Sequence, residues 1–196
     1  MISKRVFAYI FDLFIAVLIS TLIFRLPIFN DSYDKYVEYS NQQFNYLLSG
    51  GSSDVDEEQL LSLEYNLNVA SLPVFIIRLG VLIIYFGVIP FLWNGQTLGK
   101  KIFHIKVINV IKDSLDANTF MLRSILVSNF IPNFLSVLCI KFCTMDHWEV
   151  YSEIISFIQS ILIFFMLGIA LFRDDGRGLH DIICHTAVVS TKENKE

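Results

Sequence analysis

Five ionisable residues lie within or beside long apolar runs: Arg5 and Asp12 in the first, Arg78 in the second, Arg123 in the third, and Asp181 after the fourth. Arg5 and Asp12 are seven residues apart, about two helical turns, so they share one helical face. A carboxylate in a segment otherwise fit only for lipid costs free energy unless it is paired, neutral or turned to a cavity. Two chemistries satisfy that condition. One is an internal ion-pair network, Asp12 to Arg78 or Arg123 and Arg5 to Asp181, holding helices in register. The other is an ion or ligand site with Asp12 as its carboxylate and Arg5, Arg78 and Arg123 as its partners. At 1.5 Å per residue, Asp12 and Arg78 differ in depth by about 10 Å, which opposed side chains span in part; Arg78 can otherwise snorkel outward. Several arginines around one acid favour an anchor over a proton carrier.

A second polar cluster surrounds Pro132, which has no N–H to give the carbonyl of Ser128. Ser128, Asn129, Asn133 and Ser136 gather at that position. Polar groups at a broken helix build ligand sites in many transporters. They also act as interhelical glue worth under about 2 kcal/mol each.

Other combinations carry less. Asp174, Asp175, His180, Asp181 and His185 suggest a metal, but His180 and His185 do not share a helical face and two histidines do not fill a site. WNGQTLGKK lacks the strand and glycine content of a phosphate loop; its Gly95 and Gly99 permit a tight exit from the preceding helix, and Gln96 and Thr97 can cap helix ends. Cys139, Cys143 and Cys184 are an odd number and read as small apolar residues. No Ser-His-Asp, activated-cysteine or paired-glutamate arrangement is readable. The expectation is therefore no enzyme, no cofactor, no metal and no nucleic-acid partner.

The elements that would position these residues are membrane helices. The 196 residues are 54% hydrophobic, include 18 Phe, and are only 17% charged, with a mean hydropathy of +0.56. A soluble domain would carry more charge and shorter apolar runs. Four segments are long enough to cross a bilayer: about 5–26, 72–93, 119–142 and 154–172. The basic N-terminal start is followed by an apolar run longer than a signal peptide's and without a small-x-small site, so it reads as a retained first helix.

Loop charge sets the orientation. The 27–71 segment carries Asp31, Asp34, Glu38, Asp54, Asp56, Glu57, Glu58 and Glu64 against Lys35, and reads as an acidic external loop holding two short helices. Lys4 and Arg5, then Lys100, Lys101, Lys106 and Lys112, then Arg173, Arg177, Lys192 and Lys195 lie on the other side, in 94–118, 173–196 and the N-terminus. Cytoplasmic loops collect Lys and Arg, so both termini are expected in the cytoplasm. KKIFHIKVINVIK alternates and is rich in Val and Ile, as a strand is. The tail HTAVVST is strand-like too, and a lone strand would leave its backbone unpaired. Segment 103–111 is therefore expected to pair with about 186–191. No internal repeat is convincing on inspection. The fold class expected is an all-α membrane protein, a single four-transmembrane-helix bundle with a small cytoplasmic β-hairpin-like strand pair.

Arg5 and Asp12, NGQTLGKKIFHIKVI after the second helix, and GRGLHDIICHTAVV near the C-terminus, in that order, resemble the RDD family of small bacterial membrane proteins. His104 stands where family members usually have glycine. The resemblance implies that the arginine and two aspartates of the family motif are Arg5, Asp12 and Asp181; the reading of the residues above adds Arg78, Arg123, Asn129 and Asn133 in support. It implies a multi-pass protein of the bacterial cytoplasmic membrane whose partners are the lipid bilayer and a homo-oligomer or another membrane protein. It also suggests transport or exchange of an ion or small solute, sodium/proton exchange being claimed for some members. The alternative is a non-catalytic accessory, assembly or immunity protein acting through the acidic loop or the strand pair.

Overall fold

The computed structural model of the chain describes residues 2–48, 57–111, 116–173 and 175–191. Asp54, Asp56, Lys112, Asp174, Lys192 and Lys195 lie outside the described residues.

Helix α1 (Ile2–Phe24) has a burial pattern that follows from its sequence. Ala8, Asp12, Ala16, Ser20 and Phe24 recur every fourth residue and are its buried positions. That single stripe faces the other helices, while Phe7, Ile10, Phe14 and Leu18 point outward. The small side chains of Ala8, Ala16 and Ser20, at most 1% exposed, allow close approach of the neighbours. Ser20 returns its hydroxyl proton to the Ala16 carbonyl at 2.7 Å and leaves no donor unsatisfied.

A polar pair follows, α2 (Asn30–Leu48) and α3 (Glu57–Ala70). Pro73 in the first turn opens α4 (Leu72–Ile83), which continues through a π turn at Ile84–Val88 into α5 (Ile89–Leu92). The wide turn presents Tyr85, Phe86 and Gly87 inward together, and all three are buried. Gly87 brings α7 close, since a Cβ there would sit tightly, 3.0 Å from the Met121 sulfur and 3.1 Å from the Ser124 hydroxyl.

The segment expected to be one helix over 119–142 is two: α7 (Ala117–Val127) and α8 (Phe130–Phe142), bent by 61°. Asn129 turns the chain in the left-handed conformation at φ +49°. Pro132 is not a lesion inside a helix; it sits in the first turn of α8, where its missing N–H costs nothing. Asn133 Nδ2 donates to the carbonyls of Ser128 (3.2 Å) and Asn129 (2.9 Å), closing the break. Helix α9 (Met145–Phe172) starts nine residues before the apolar run expected from 154. Three of these units, Ile2–Phe24, Leu72–Leu92 and Met145–Phe172, are long and apolar enough to cross a membrane, and the bent α7–α8 pair would make a fourth.

The remaining elements form a plate at one end of the bundle: α6 (Leu98–Ile102), β1 (Ile105–Asn109), α10 (Leu179–Ile183) and β2 (Thr186–Ser190). The strands pair antiparallel, Ile105 opposite Ser190 and Val107 opposite Val188. Ala8, Ile105, Val107, Phe120 and Val188 make the core that joins the plate to α1 and α7.

The plate contains the internal repeat that inspection of the sequence does not reveal. Gly95, Leu98, Ile102, His104 and Val107 recur 81 residues later as Gly176, Leu179, Ile183, His185 and Val188. Both glycines and both histidines have positive φ (+89° and +61°; +55° and +50°). Each half is thus a glycine turn, a five-residue helix, a left-handed histidine and a five-residue strand. The halves close on each other symmetrically: Thr191 N–H donates to the His104 carbonyl and Val110 N–H to that of His185, both at 2.9 Å.

Candidate functional site

Asp181 lies where α1, α7 and α10 meet the plate, and is 1% exposed. Arg123 from α7 reaches it at 2.8 Å, and Arg5 from α1 stands 3.6 Å away. The Gly178 N–H (3.3 Å) and the Thr186 hydroxyl (3.2 Å) also donate to it. Burial works against its ionisation, but Arg123 foremost, with Arg5 and the Gly178 N–H, overrides burial and holds the carboxyl below its ordinary range. Arg5 is further fixed by the carbonyls of Gly176 and Val188, the latter at 2.9 Å, so it ties α1 to both ends of the second half of the plate. Among the described residues Arg123 has no such backing: it pairs with Asp181, and its Nε is buried without a hydrogen bond.

His180 Nε2 lies 3.6 Å from Asp181. Burial and then Arg123 push its pKa down to about 3, so the ring is neutral at neutral pH and does not add a charge to the cluster. Lys100, half-buried at the position of the repeat that corresponds to Asp181, is pushed down to about 7 by burial and by Arg123, against the pull of Asp12 and Asp181.

Asp12 is satisfied differently from the expected network. No ion pair joins it to Arg78 or Arg123 among the described residues. Three uncharged donors surround it instead: the Tyr85 hydroxyl at 2.8 Å, the Gly99 N–H at 2.7 Å, and the Thr97 hydroxyl. Thr97 and Gly99 belong to the first turn of α6, whose N–H groups have no intrahelical acceptor. Tyr85 is delivered by the π turn. Gly99 is obligatory, since a Cβ would lie 2.4 Å from the Ala8 carbonyl oxygen and 2.8 Å from Asp12 Oδ1. The sequence signal for this site was a threonine-capped TLGKK turn following an apolar helix; an outlook confined to charged partners passes over it.

Arg78 stands apart. It lines a cavity of about 190 Å³ with Asn68, Asn133, Ser136, Trp148 and Ser152, between α3, α4, α8 and α9. The Phe75 ring lies 5.6 Å from its guanidinium, its Nε is buried without a partner, and no carboxylate among the described residues lines the space. Asn133 therefore serves both the helix break and this cavity. Asn129, at the break, is buried with its Oδ1 unpartnered, but does not line the cavity.

The C-terminal charges are a surface clasp: Asp175 takes Arg173 at 2.8 Å and Arg177 at 2.7 Å, and its carboxyl is pulled far below the usual range by Arg173 and then Arg177. His185 is exposed and turned away in its left-handed corner. No group of three His, Cys, Asp or Glu among the described residues is placed to hold a metal ion. Cys139, Cys143 and Cys184 are free thiols.

The arrangement therefore has two closed carboxylate sites at the plate and one open cationic cavity toward the other end. No curated protein and no solved structure matches the chain. A family model described as the RDD family matches residues 1–185, nearly the whole length, and the chain thus belongs to the RDD family of membrane proteins.

Proposed function

We propose that this protein is a four-span component of the bacterial cytoplasmic membrane, with both termini and the plate in the cytoplasm, that binds and moves a small solute. The site we assign is the Arg78 cavity rather than Asp12. The observation that carries this reading is a half-buried arginine of the second apolar span, with no ion pair among the described residues, lining a polar cleft between that span and α3, α8 and α9. An ionisable side chain in a membrane segment by default marks a function. The cleft is bounded by α8, the second half of the broken span, through Asn133 and Ser136. Asp12 already accepts three hydrogen bonds, which supports a latch rather than an ion-binding role.

Four spans are few for a carrier, so a homo-oligomer completes the reading. Purified protein reconstituted in liposomes and challenged with gradients of inorganic and small organic ions tests it. Flux in the wild type and none in Arg78→Gln is the expected result. Equal flux in both variants refutes the site, and no flux across the panel refutes the transport reading.

The accessory-protein reading has one observation in its favour, a second cavity of about 250 Å³ between the polar helices α2 and α3, lined by Tyr39, Gln42, Gln59 and Asn66. Replacing Tyr39, Gln42 and Gln59, which line the second cavity and not the first, by alanine separates the two readings. An accessory protein using that surface loses its complex in a mild-detergent pull-down, whereas a carrier keeps flux.

A further inference from the structure

Resting on that assignment of the site, we infer that the Arg78 cavity takes a small oxyanion, a carboxylate or phosphate group with a few apolar carbons attached. The walls argue for charge, shape and size separately. The cavity contains a guanidinium and no acid, so a metal cation or ammonium would meet like charge in a poorly solvated space. The Arg78 guanidinium that lines the cavity offers a planar fork of donors, and carboxylate and phosphate oxygens fit it in pairs. Ser136, Ser152 and Ser156 from two other helices add hydroxyls that can turn to complete the shell of an oxygen.

The rest of the lining is apolar. Leu79, Leu82 and Ile140 are buried, Trp148 is 7% exposed, and Phe75 lies against the arginine. That mixture suits an anion with a hydrocarbon body better than a fully hydrated inorganic ion. At about 190 Å³ the space slightly exceeds an apolar cavity of about 150 Å³ that accommodates benzene. Ligands from propionate to benzoate fit this range. The same chemistry could come from the phosphate of an anionic lipid headgroup.

The test uses the full chain purified in detergent, at constant ionic strength, as wild type, Arg78→Lys and Arg78→Gln. Arg78 makes no ion pair among the described residues, so both variants are expected to fold with unchanged or raised thermal midpoints. Benzoate, propionate, inorganic phosphate and chloride serve as probes, read by thermal shift and calorimetry. We expect benzoate or propionate to stabilise the wild type, Arg78→Lys to bind at least about tenfold more weakly, and Arg78→Gln not to respond. Native mass spectrometry adds the lipid arm: a phosphatidylglycerol retained by the wild type and lost from Arg78→Gln identifies the oxyanion as a headgroup. Stabilisation by chloride alone, an equal response in Arg78→Gln, or no binding of any probe or lipid overturns the inference. Binding without liposome flux removes the transport reading and leaves this one; flux that needs Arg78 without oxyanion binding does the reverse.

Discussion

Replacing Asp181 by Asn tests the cluster at the plate with the least change of shape. The amide keeps an oxygen for the Gly178 N–H, while its NH2 must donate to the Thr186 hydroxyl oxygen instead of accepting from it, bonds each worth about 1 kcal/mol. What disappears is the counter-charge of Arg123, a side chain only 7% exposed and 2.8 Å from the carboxylate. Breaking a buried pair by removing one partner costs about 3–5 kcal/mol, because the other charge stays buried. Arg5 loses less, since it stands 3.6 Å away, is 15% exposed, and keeps the Gly176 and Val188 carbonyls. The expected loss is therefore about 3–5 kcal/mol, a large part of a typical total of about 5–15 kcal/mol. Equilibrium unfolding in mixed detergent–SDS micelles measures it. The second arm is Asp181→Asn with Arg123→Met, which removes the stranded charge and should recover about half of the loss or more. An Asp181→Asn protein within about 0.5 kcal/mol of wild type, or a double variant no better than the single, would refute the argument that charge pairing holds this node.

Three other perturbations follow from the geometry. Gly99→Ala drives a Cβ into the Ala8 carbonyl at 2.4 Å, so α6 must leave α1; a loss of about 1–3 kcal/mol or failure to fold is expected in the same unfolding assay. Tyr85→Phe removes one of three donors to Asp12 and should cost about 1–2 kcal/mol, clearly less than Asp12→Ala, which strands all three. His180 gives a pH dependence: its native pKa of about 3 is below its unfolded value, so below about pH 6.5 the unfolded chain binds the proton and the native state does not. Stability should fall as pH drops from 7 toward 5, by at most about 1.4 kcal/mol per pH unit, and His180→Phe should flatten the curve. Asp181, whose native pKa is lowered, contributes stability above its unfolded value of about 3.9 that is lost only as pH falls further, so the two phases separate on an acid titration.

The sheet was legible because backbone accounting is strict. KKIFHIKVINVIK alternates, a lone strand is untenable, and HTAVVST was the other run able to pair with it; Ile105–Asn109 against Thr186–Ser190 is the result. Phe103, counted with the strand by alternation, instead ends α6, because His104 reverses the chain in the left-handed region before the strand begins. The break near Pro132 was visible, but its form was not. Proline is equally at home in a kink and in a first turn, and the left-handed Asn129 that decides between them leaves no periodic signature. The acidic start of α9 was missed because hydropathy registers the apolar core of a helix and not its polar first turns.

The partners of Asp12 were hidden for a different reason. Depth counting compares ionisable groups, and it set Asp12 against Arg78 and Arg123. A tyrosine, a threonine and a glycine N–H carry no charge to count, and Tyr85 faces inward only because of a π turn that no residue pattern announces. Arg78 was legible as an anomaly and not as a wall of a cavity, which needs four helices in place.

The repeat explains why one arginine and two aspartates belong together. In the first half the loop closes on its own strand, the Val107 N–H donating to the Gly95 carbonyl at 2.9 Å. In the second, Arg5 donates from outside to the equivalent Gly176 carbonyl and to the carbonyl of Val188. Position 100 in the first half is lysine and its counterpart, 181, is aspartate, so the two copies carry opposite charge at the same place. The acid of the second half is internal and needs arginines from α1 and α7. The acid of the first half is external, Asp12 from α1, and needs the neutral donors of α6. Helix α1 thus fastens both copies from one face, through Arg5, three residues before Ala8, to the second and through Asp12, four residues after it, to the first. Exchanging either aspartate for a residue of similar size should loosen its own half and leave the Arg78 cavity intact, because no residue lining that cavity touches either carboxylate.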